Sequence, residues 1–230
     1  MDFIETISMF TGQPRDKIAV YVIHLEKAVE RLPLMEKFNN DLKVIPEIIF
    51  PENGEELIAH GHPVLNTSNG KQNAGVISCT RSHVRACENA LKKGKEYCVI
   101  FEDDIYMKTD FNTFINSLMA CKSIFHTYAI KWDIFLLGAL GYSSHLPNSS
   151  GISSIYNFDG THALLLNKKA MYSYISSYYK GLLNNYIEPA DGLYCSLIDN
   201  GCICIGFTDA NLFFDQKQDG MWSYVGNCIK

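Results

Sequence analysis

The chain lacks several features, and each absence removes a class of function. No apolar run approaches the roughly 18 residues that a membrane-spanning helix needs, and no charged segment followed by an apolar core opens the sequence as a secretory signal would. No Lys/Arg-rich stripe is present, and with 20 basic against 25 acidic residues the net charge is −5. A nucleic-acid partner is therefore not expected, since phosphate neutralisation needs such a stripe. Lys92, Lys93 and Lys95 form the one dense basic group, and it reads as the solvated end of a helix. The eight cysteines also lack a pattern. Cys79, Cys87, Cys98 and Cys121 sit singly in apolar or helical segments, and Cys195, Cys202 and Cys204 do not have the paired spacing of structural zinc sites. They read as small core residues, and a soluble protein of a reducing compartment is expected, cytoplasmic or peripheral at a membrane and without a transmembrane anchor. Asn66-Thr-Ser68 and Asn148-Ser-Ser150 match the glycosylation acceptor pattern, but that pattern has meaning only in a secreted chain, so both read as loops. No internal repeat or linker divides the sequence, so a single domain over 1–230, with its core at about 18–225, is expected.

What is present is a chain of 230 residues, 47% apolar and 20% charged, an ordinary globular composition long enough to bury a sizeable core. Its most informative stretch is Tyr97-Cys-Val-Ile-Phe101 followed at once by Glu102-Asp103-Asp104. A buried strand thus ends in three carboxylates. Three like charges in a row repel, so a cation or a cationic partner must compensate them, and a divalent metal is the simplest compensation. In open α/β sheets ligands sit beyond the carboxyl ends of strands, where this triplet falls. An acidic solvated turn is the plainer alternative.

Strand-like and helix-like segments alternate, which points to an α/β fold with a mainly parallel, Rossmann-like sheet flanked by helices. Ala19–Leu25 reads as the first strand, and residues 28–40 as a helix in which Pro33 either sits in the first turn or kinks the element. Val44–Phe50 reads as a short strand that Pro46 assigns to an edge, and Gly61–Gly70 as loop. In Gly75–Gly94 the residues Val76, Cys79, His83, Ala86 and Ala90 recur at helical spacing. A histidine on such a stripe is either a hydrogen-bonded core residue or a site residue. Asp110 caps a helix to about Phe125, and Trp132–Gly138 is a buried strand. Gly138–Gly151 reads as a lid or binding loop. Ser153–Asn157 and Thr161–Leu166 read as two strands around an Asp159-Gly160 turn. Asn167 caps a helix over 168–180, Asp191 caps one ending near Asn200-Gly201, and Cys202–Gly206 is a last strand.

Val22-Ile-His-Leu25 with Arg31, the string Gly75, Cys79, Ser82, His83, then Phe101-Glu-Asp-Asp104, and Asp191 before a Gln-containing final segment together resemble glycosyltransferase family 25, which includes bacterial lipooligosaccharide galactosyltransferases and the collagen galactosyltransferase domain. The resemblance runs in order from about residue 18 to about 225. It departs at His24, where the family pattern has Asn, and at Val76 and Ser78.

The resemblance implies a GT-A-like fold, a nucleotide-sugar donor, usually UDP-galactose with glucose next, and inversion at the anomeric carbon. It makes Glu102, Asp103 and Asp104 a variant Asp-x-Asp motif and places His24, Leu25, Arg31, Ser82, His83 and Gln216 at the donor. The chemistry agrees. Sugar transfer leaves an anionic diphosphate, which needs positive charge where negative charge develops, and Mn2+ or Mg2+ on Glu102 and Asp104 supplies it. Asp103 is then free for ribose or sugar hydroxyls, since alternate residues of a strand face opposite ways. Inversion needs a base beside the acceptor hydroxyl. Asp191 is the candidate, with an N-cap role as its alternative, and Glu188 and Asp159 are in reserve. Arg31 suits a diphosphate or a carboxylate, and the tail with Gln216, Trp222 and Ser223 suits either a cover over the donor or the lining of the acceptor site. The acceptor is a saccharide, glycolipid or glycoprotein. Two other readings remain open: a metal-dependent phosphohydrolase with Asp103 as nucleophile, and a non-catalytic sugar-binding domain.

Overall fold

The structure is a computed structural model and describes residues 1–63, 74–144, 151–207 and 213–216. The Asn66 and Asn148 acceptor sequences, most of the 61–70 loop, part of the 138–151 loop, and Trp222 and Ser223 lie outside the described residues. In chain order the elements are α1 (Phe3–Thr11), β1 (Ile18–Ile23), α2 (Leu32–Leu42), β2 (Glu47–Ile49), α3 (Gly54–Ala59), α4 (Ala74–Lys92), β3 (Tyr97–Glu102), β4 (Ile105–Met107), α5 (Phe111–Thr127), β5 (Ile134–Gly138), β6 (Gly141–Ser144), β7 (Ile152–Asp159), β8 (Ala163–Asn167), α6 (Lys168–Leu183), α7 (Ala190–Asp199), β9 (Cys204–Phe207) and β10 (Phe214–Gln216). Eight strands form one sheet in the order β2-β1-β3-β8-β5-β9-β7-β6. β1 is parallel to β2 and β3, and β9 to β5, while β8 is antiparallel to β3 and β5, β7 to β9, and β6 to β7. Six of the eight strands therefore run the same way, and the sheet is mainly parallel as expected.

The pleat explains why β1, β3 and β5 read as unbroken apolar runs. Ile18, Val20 and Val22 with Val99, Phe101, Phe135 and Leu137 enter one core against α1, α2 and α5. Ala19, Tyr21 and Ile23 with Cys98, Ile100, Ile134 and Leu136 enter the other against α4, α6 and α7. A strand covered on both faces must be apolar at every position.

Several boundaries follow their local chemistry. Pro33 lies in the first turn of α2, which begins at Leu32. Asp110 accepts from the Thr113 amide (3.0 Å) and Asn167 from the Ala170 amide (2.9 Å), as expected of caps. β2 is short and at the edge of the sheet.

Other expectations are corrected. Asp191 does not cap α7; the cap position is Pro189, and Asp191 lies inside the first turn. β7 and β8 do not pair across Asp159-Gly160, because β5 and β9 separate them. Gly160, at φ +79, instead turns the chain over the strand ends toward β8. Part of the 138–151 segment is β6, paired with β7 rather than loop.

The α1 helix was not anticipated, although its signals are in the sequence: Asp2 accepts from the Glu5 amide at 2.8 Å, Gly12 closes it at φ +71, and Phe3, Ile7 and Phe10 form its buried stripe. The short α3 was also missed, along with the β4–β10 pair, which forms a separate two-stranded sheet. That pair sets Gln216 opposite Ile105.

Asp133, just before β5, holds the opposite end of the sheet. Its carboxylate accepts from Asn167 Nδ2 (3.1 Å), Lys169 Nζ (2.8 Å) and the Ile203 amide (3.0 Å). Burial raises its pKa, but these three donors together override that and hold it below the ordinary 3.8. A depressed folded value means that the contribution is complete above the unfolded value and is lost as pH falls through the folded one. We expect Asp133→Ala to lower unfolding free energy by about 2 kcal/mol at neutral pH in urea titrations. The gap between variant and wild type should narrow only below pH 3.8.

Candidate active site

A cavity of about 490 Å³ opens at the carboxyl ends of β1 and β3, the position the fold reserves for ligands. Leu25, Lys27 and Arg31 line it from the segment after β1, Asn53 to Glu55 from the start of α3, Ala74, Gly75, Ser78 and Cys79 from the first turns of α4, and Glu102, Asp103 and Asp104 from the end of β3. Gln216 reaches it from β10. The starts of α3 and α4 touch backbone to backbone: a Cβ on Gly54 would lie 1.8 Å from the Ala74 carbonyl oxygen. Only glycine permits this approach.

The three carboxylates diverge. Glu102 ends the strand, while Asp103 and Asp104 lie in the turn that follows, so strict alternation stops at Glu102. Asp103, 4% exposed, turns toward β1. It accepts from His24 Nδ1 at 2.8 Å, from the Leu25 amide at 3.3 Å and from Arg31. The same guanidinium reaches Asp104 at 3.3 Å, so one buried arginine is shared by two carboxylates. Gln216 Nε2 donates to both oxygens of Asp104, at 3.0 and 2.9 Å. Burial and the neighbouring negative charge of Glu102 nevertheless push Asp104 up to about 7. Glu102 turns toward α4. It accepts from Thr161 Oγ1 at 2.7 Å, and His83 Nε2 stands 3.8 Å from it. Burial pushes Glu102 up, but His83 and Thr161 outweigh it and hold the carboxyl below its usual range.

The remaining anticipated residues are placed as follows. His83 is fully buried, and its Nδ1 is 3.3 Å from the Tyr194 hydroxyl. Ser82 is also buried and donates to the Ser78 carbonyl of its own helix at 2.8 Å. Asp191 accepts from the amides of Gly160 (3.3 Å) and Gly192 (2.9 Å). Its charge is felt by Cys79, whose thiol is pushed far up by burial and then by Glu102, Asp191 and Asp104. The Glu188 carboxylate accepts from Ser196 Oγ at 2.5 Å. Asp191 and Glu188 are not among the residues lining the cavity.

The sequence reading missed Cys79 as a cavity residue, and Thr161 and His162 as neighbours of the triplet. Thr161 holds Glu102, and the His162 carbonyl accepts from the Glu102 amide at 3.0 Å. His162 itself is fully buried and stacks over Gly138, where a Cβ would come within 2.8 Å of its Nε2. The one available signal was the polar run Asp159-Gly-Thr-His162 between two apolar strands.

The donor set fits a hard divalent cation. Glu52, Glu55, Glu102, Asp103 and Asp104 line the cavity against Lys27 and Arg31. Glu52 is satisfied by Arg81 (3.3 Å) and Arg85 (3.5 Å), and Asp103 by Arg31 and His24. Asp104 is left with too little positive charge, and together with Glu102, which also lines the cavity, it offers carboxylate oxygens of the kind that suit Mg2+ or Mn2+.

A strand-end cavity holding carboxylates beside a buried Arg-Asp clamp lies where α/β folds place their ligands. The chain belongs to glycosyltransferase family 25: the profile described as "Glycosyltransferase family 25 (LPS biosynthesis protein)" matches residues 17–178. It is a glycosyltransferase. The match takes in the triplet, Arg31 and the Ser82-His83 pair and ends before Glu188, Asp191 and Gln216. No curated protein sequence matches the chain.

Solved structures that are similar include a glycosyltransferase involved in the glycosylation of the major capsid of PBCV-1, at 11% identity and TM-score 0.42 over 92% of this chain and 96% of that one. UDP-glucose pyrophosphorylase complexed with UDP-glucose is 10% identical, with TM-score 0.44 over 89% and 75% of the two chains. The inositol-1-phosphate CTP transferase from T. maritima is 14% identical, with TM-score 0.43 over 99% and 81%. At these scores the likenesses bear on neither mechanism nor substrate.

The Arg31 clamp generates a stability prediction. Removing one partner of a buried ion pair leaves an uncompensated charge, at about 3–5 kcal/mol. Arg31→Ala is expected to lose that much in urea unfolding, and Arg31→Lys to lose less but not recover fully, because an ammonium lacks the fork that spans two carboxylates.

Proposed function

We propose that the chain, as a single domain with its core at about 18–225, is an inverting hexosyltransferase. It takes galactose foremost, or glucose, from a UDP-sugar and delivers it to a hydroxyl of a saccharide, glycolipid or glycoprotein. The observation that carries the reading is the acidic pair Glu102 and Asp104 in a cavity otherwise sized for a nucleotide sugar. As it stands this cavity repels a diphosphate, and a carboxylate-bound cation inverts the local field.

Glu102 and Asp104 would hold Mn2+ or Mg2+, which when bound would supply positive charge where a diphosphate departs. Arg31 and Gln216 fix Asp104 in place, and Thr161 fixes Glu102. The clamp of His24, Leu25 and Arg31 on Asp103 keeps the loop after β1 beside the triplet. This loop is where we place the nucleoside; Leu25 and Asp103 line the cavity there, and His24 serves the donor site through its contact with Asp103. His83 and Ser82 stiffen the α4 wall of the donor site. Asp191 takes the acceptor proton. Its two amide partners orient the carboxylate and leave lone pairs for an acceptor hydroxyl. Glu188, held by Ser196, stands in reserve.

Asp103 is occupied by three donors, so nothing favours its use as the nucleophile of a phosphohydrolase. Among the described residues no helix is long and apolar enough to cross a membrane. The free thiols of Cys79, Cys87, Cys98, Cys121, Cys195, Cys202 and Cys204 support a cytoplasmic setting, with peripheral contact if the acceptor is a membrane glycolipid.

Asp104→Ala is expected to keep the fold and to weaken Mn2+-dependent UDP-galactose binding at least tenfold in calorimetry. Unchanged affinity in that variant would remove the metal assignment. Asp191→Asn is expected to bind donor normally and to lose transfer by two orders of magnitude or more, the scale of general-base loss being about 10²–10⁴. Normal turnover in that variant would move the base to Glu188 or Asp159.

A further inference from the structure

The same wall of the cavity carries a second donor set of different chemistry. Cys79 and His83 are one helical turn apart on α4, so their side chains share a face. Glu102 meets them from the end of β3. One ligand atom from each, the Cys79 thiol sulfur, a His83 ring nitrogen and a Glu102 carboxylate oxygen, lie within 4.8 Å of one another. His83 Nε2 is fully buried and has no hydrogen-bond partner among the described residues. It points at Glu102 across 3.8 Å, too far for a hydrogen bond and suitable for two ligands of one ion. A buried imidazole nitrogen without a partner carries a desolvation cost that a ligand at this point would remove.

We propose that Cys79, His83 and Glu102 form a binding site for a thiophilic divalent cation of the Zn2+ type. Sulfur, imidazole nitrogen and one carboxylate are the ligands this class of ion selects, whereas Mg2+ and Mn2+ prefer oxygen alone. The surrounding contacts match those of a ligated site. The Tyr194 hydroxyl lies 3.3 Å from His83 Nδ1 and fixes the ring, leaving Nε2 for the ion, and Thr161 Oγ1 donates to Glu102 at 2.7 Å. Cys79 and Glu102 both line the cavity, so the fourth position faces solvent or ligand. Because Glu102 is shared with the hard-cation pair, occupancy by a thiophilic ion competes with donor binding and makes the site inhibitory.

The test uses the full chain stripped of metal by a chelator and titrated with Co2+, without donor or acceptor, so its outcome does not depend on the transferase reading. The expected result is a one-to-one complex with a thiolate-to-Co2+ charge-transfer band in the near ultraviolet. The band should vanish in Cys79→Ser and persist in Asp104→Asn. His83→Asn should weaken Co2+ binding at least tenfold, and Cys79→Ser retains a near-isosteric side chain should the histidine variant fail to fold. The inhibitory consequence rests on the proposed function and is read separately: Zn2+ should weaken UDP-galactose binding in the wild type and have no such effect in Cys79→Ser. A missing band, a band unchanged in Cys79→Ser, or Co2+ binding that disappears with Asp104→Asn would each overturn the proposal.

Discussion

The neutralisation of three consecutive carboxylates at the end of β3 is the constraint around which the site is arranged. A central strand must deliver Glu102, Asp103 and Asp104 to one point, where burial and mutual repulsion oppose their ionisation. The fold answers with three separate devices. Arg31 and His24, from the segment after β1, compensate Asp103. The β10 segment brings Gln216 across 112 positions of sequence to Asp104. The crossover from β7 to β8 brings Thr161 to Glu102. None of these fully compensates Asp104, whose carboxyl remains pushed up to about 7. That residual imbalance is what the proposed cation would relieve.

The three devices also explain the topology around the site. β1 must lie beside β3 for the Arg31 turn to reach the triplet, and the parallel register of Ile23 with Glu102 puts both strand ends level. β8 must run antiparallel beside β3 so that Thr161 and His162, just before it, arrive at the same end. A simple hairpin between β7 and β8 would have left Thr161 at a tight turn, away from β3. Inserting β5 and β9 between them places that polar segment across the strand ends instead.

Much of this was legible in the residues. The apolar runs of β1, β3 and β5, the caps at Asp110 and Asn167, the edge position of β2, and the acidic triplet all follow from local pattern, because local pattern is what sets them. Family membership could likewise be read from the order of Arg31, the Ser82-His83 pair and the triplet. What was not legible depends on contacts distant in sequence. Nothing near Asp191 reveals that Pro189 takes the cap position and that the Gly160 amide donates to the carboxylate. Nothing near Gln216 announces a pairing with Ile105. The divergence of the triplet arises because the chain leaves the strand at Glu102, one residue before alternation would have aimed Asp103 outward. Cys79 looked like a core residue by spacing and is a cavity residue because α4 starts against α3, where Gly54 allows the two backbones to touch.

The central claim, that the acidic pair completes a diphosphate-sugar site only with a cation, is tested most directly by calorimetric titration of the wild-type chain. The ligands are UDP, UDP-galactose, UDP-glucose and UDP-N-acetylglucosamine, each in Mn2+ and in EDTA. The account predicts binding in Mn2+ that ranks the sugars with galactose first and that is lost in EDTA. Binding of equal strength in EDTA, or no binding of any uridine nucleotide in either condition, would contradict it.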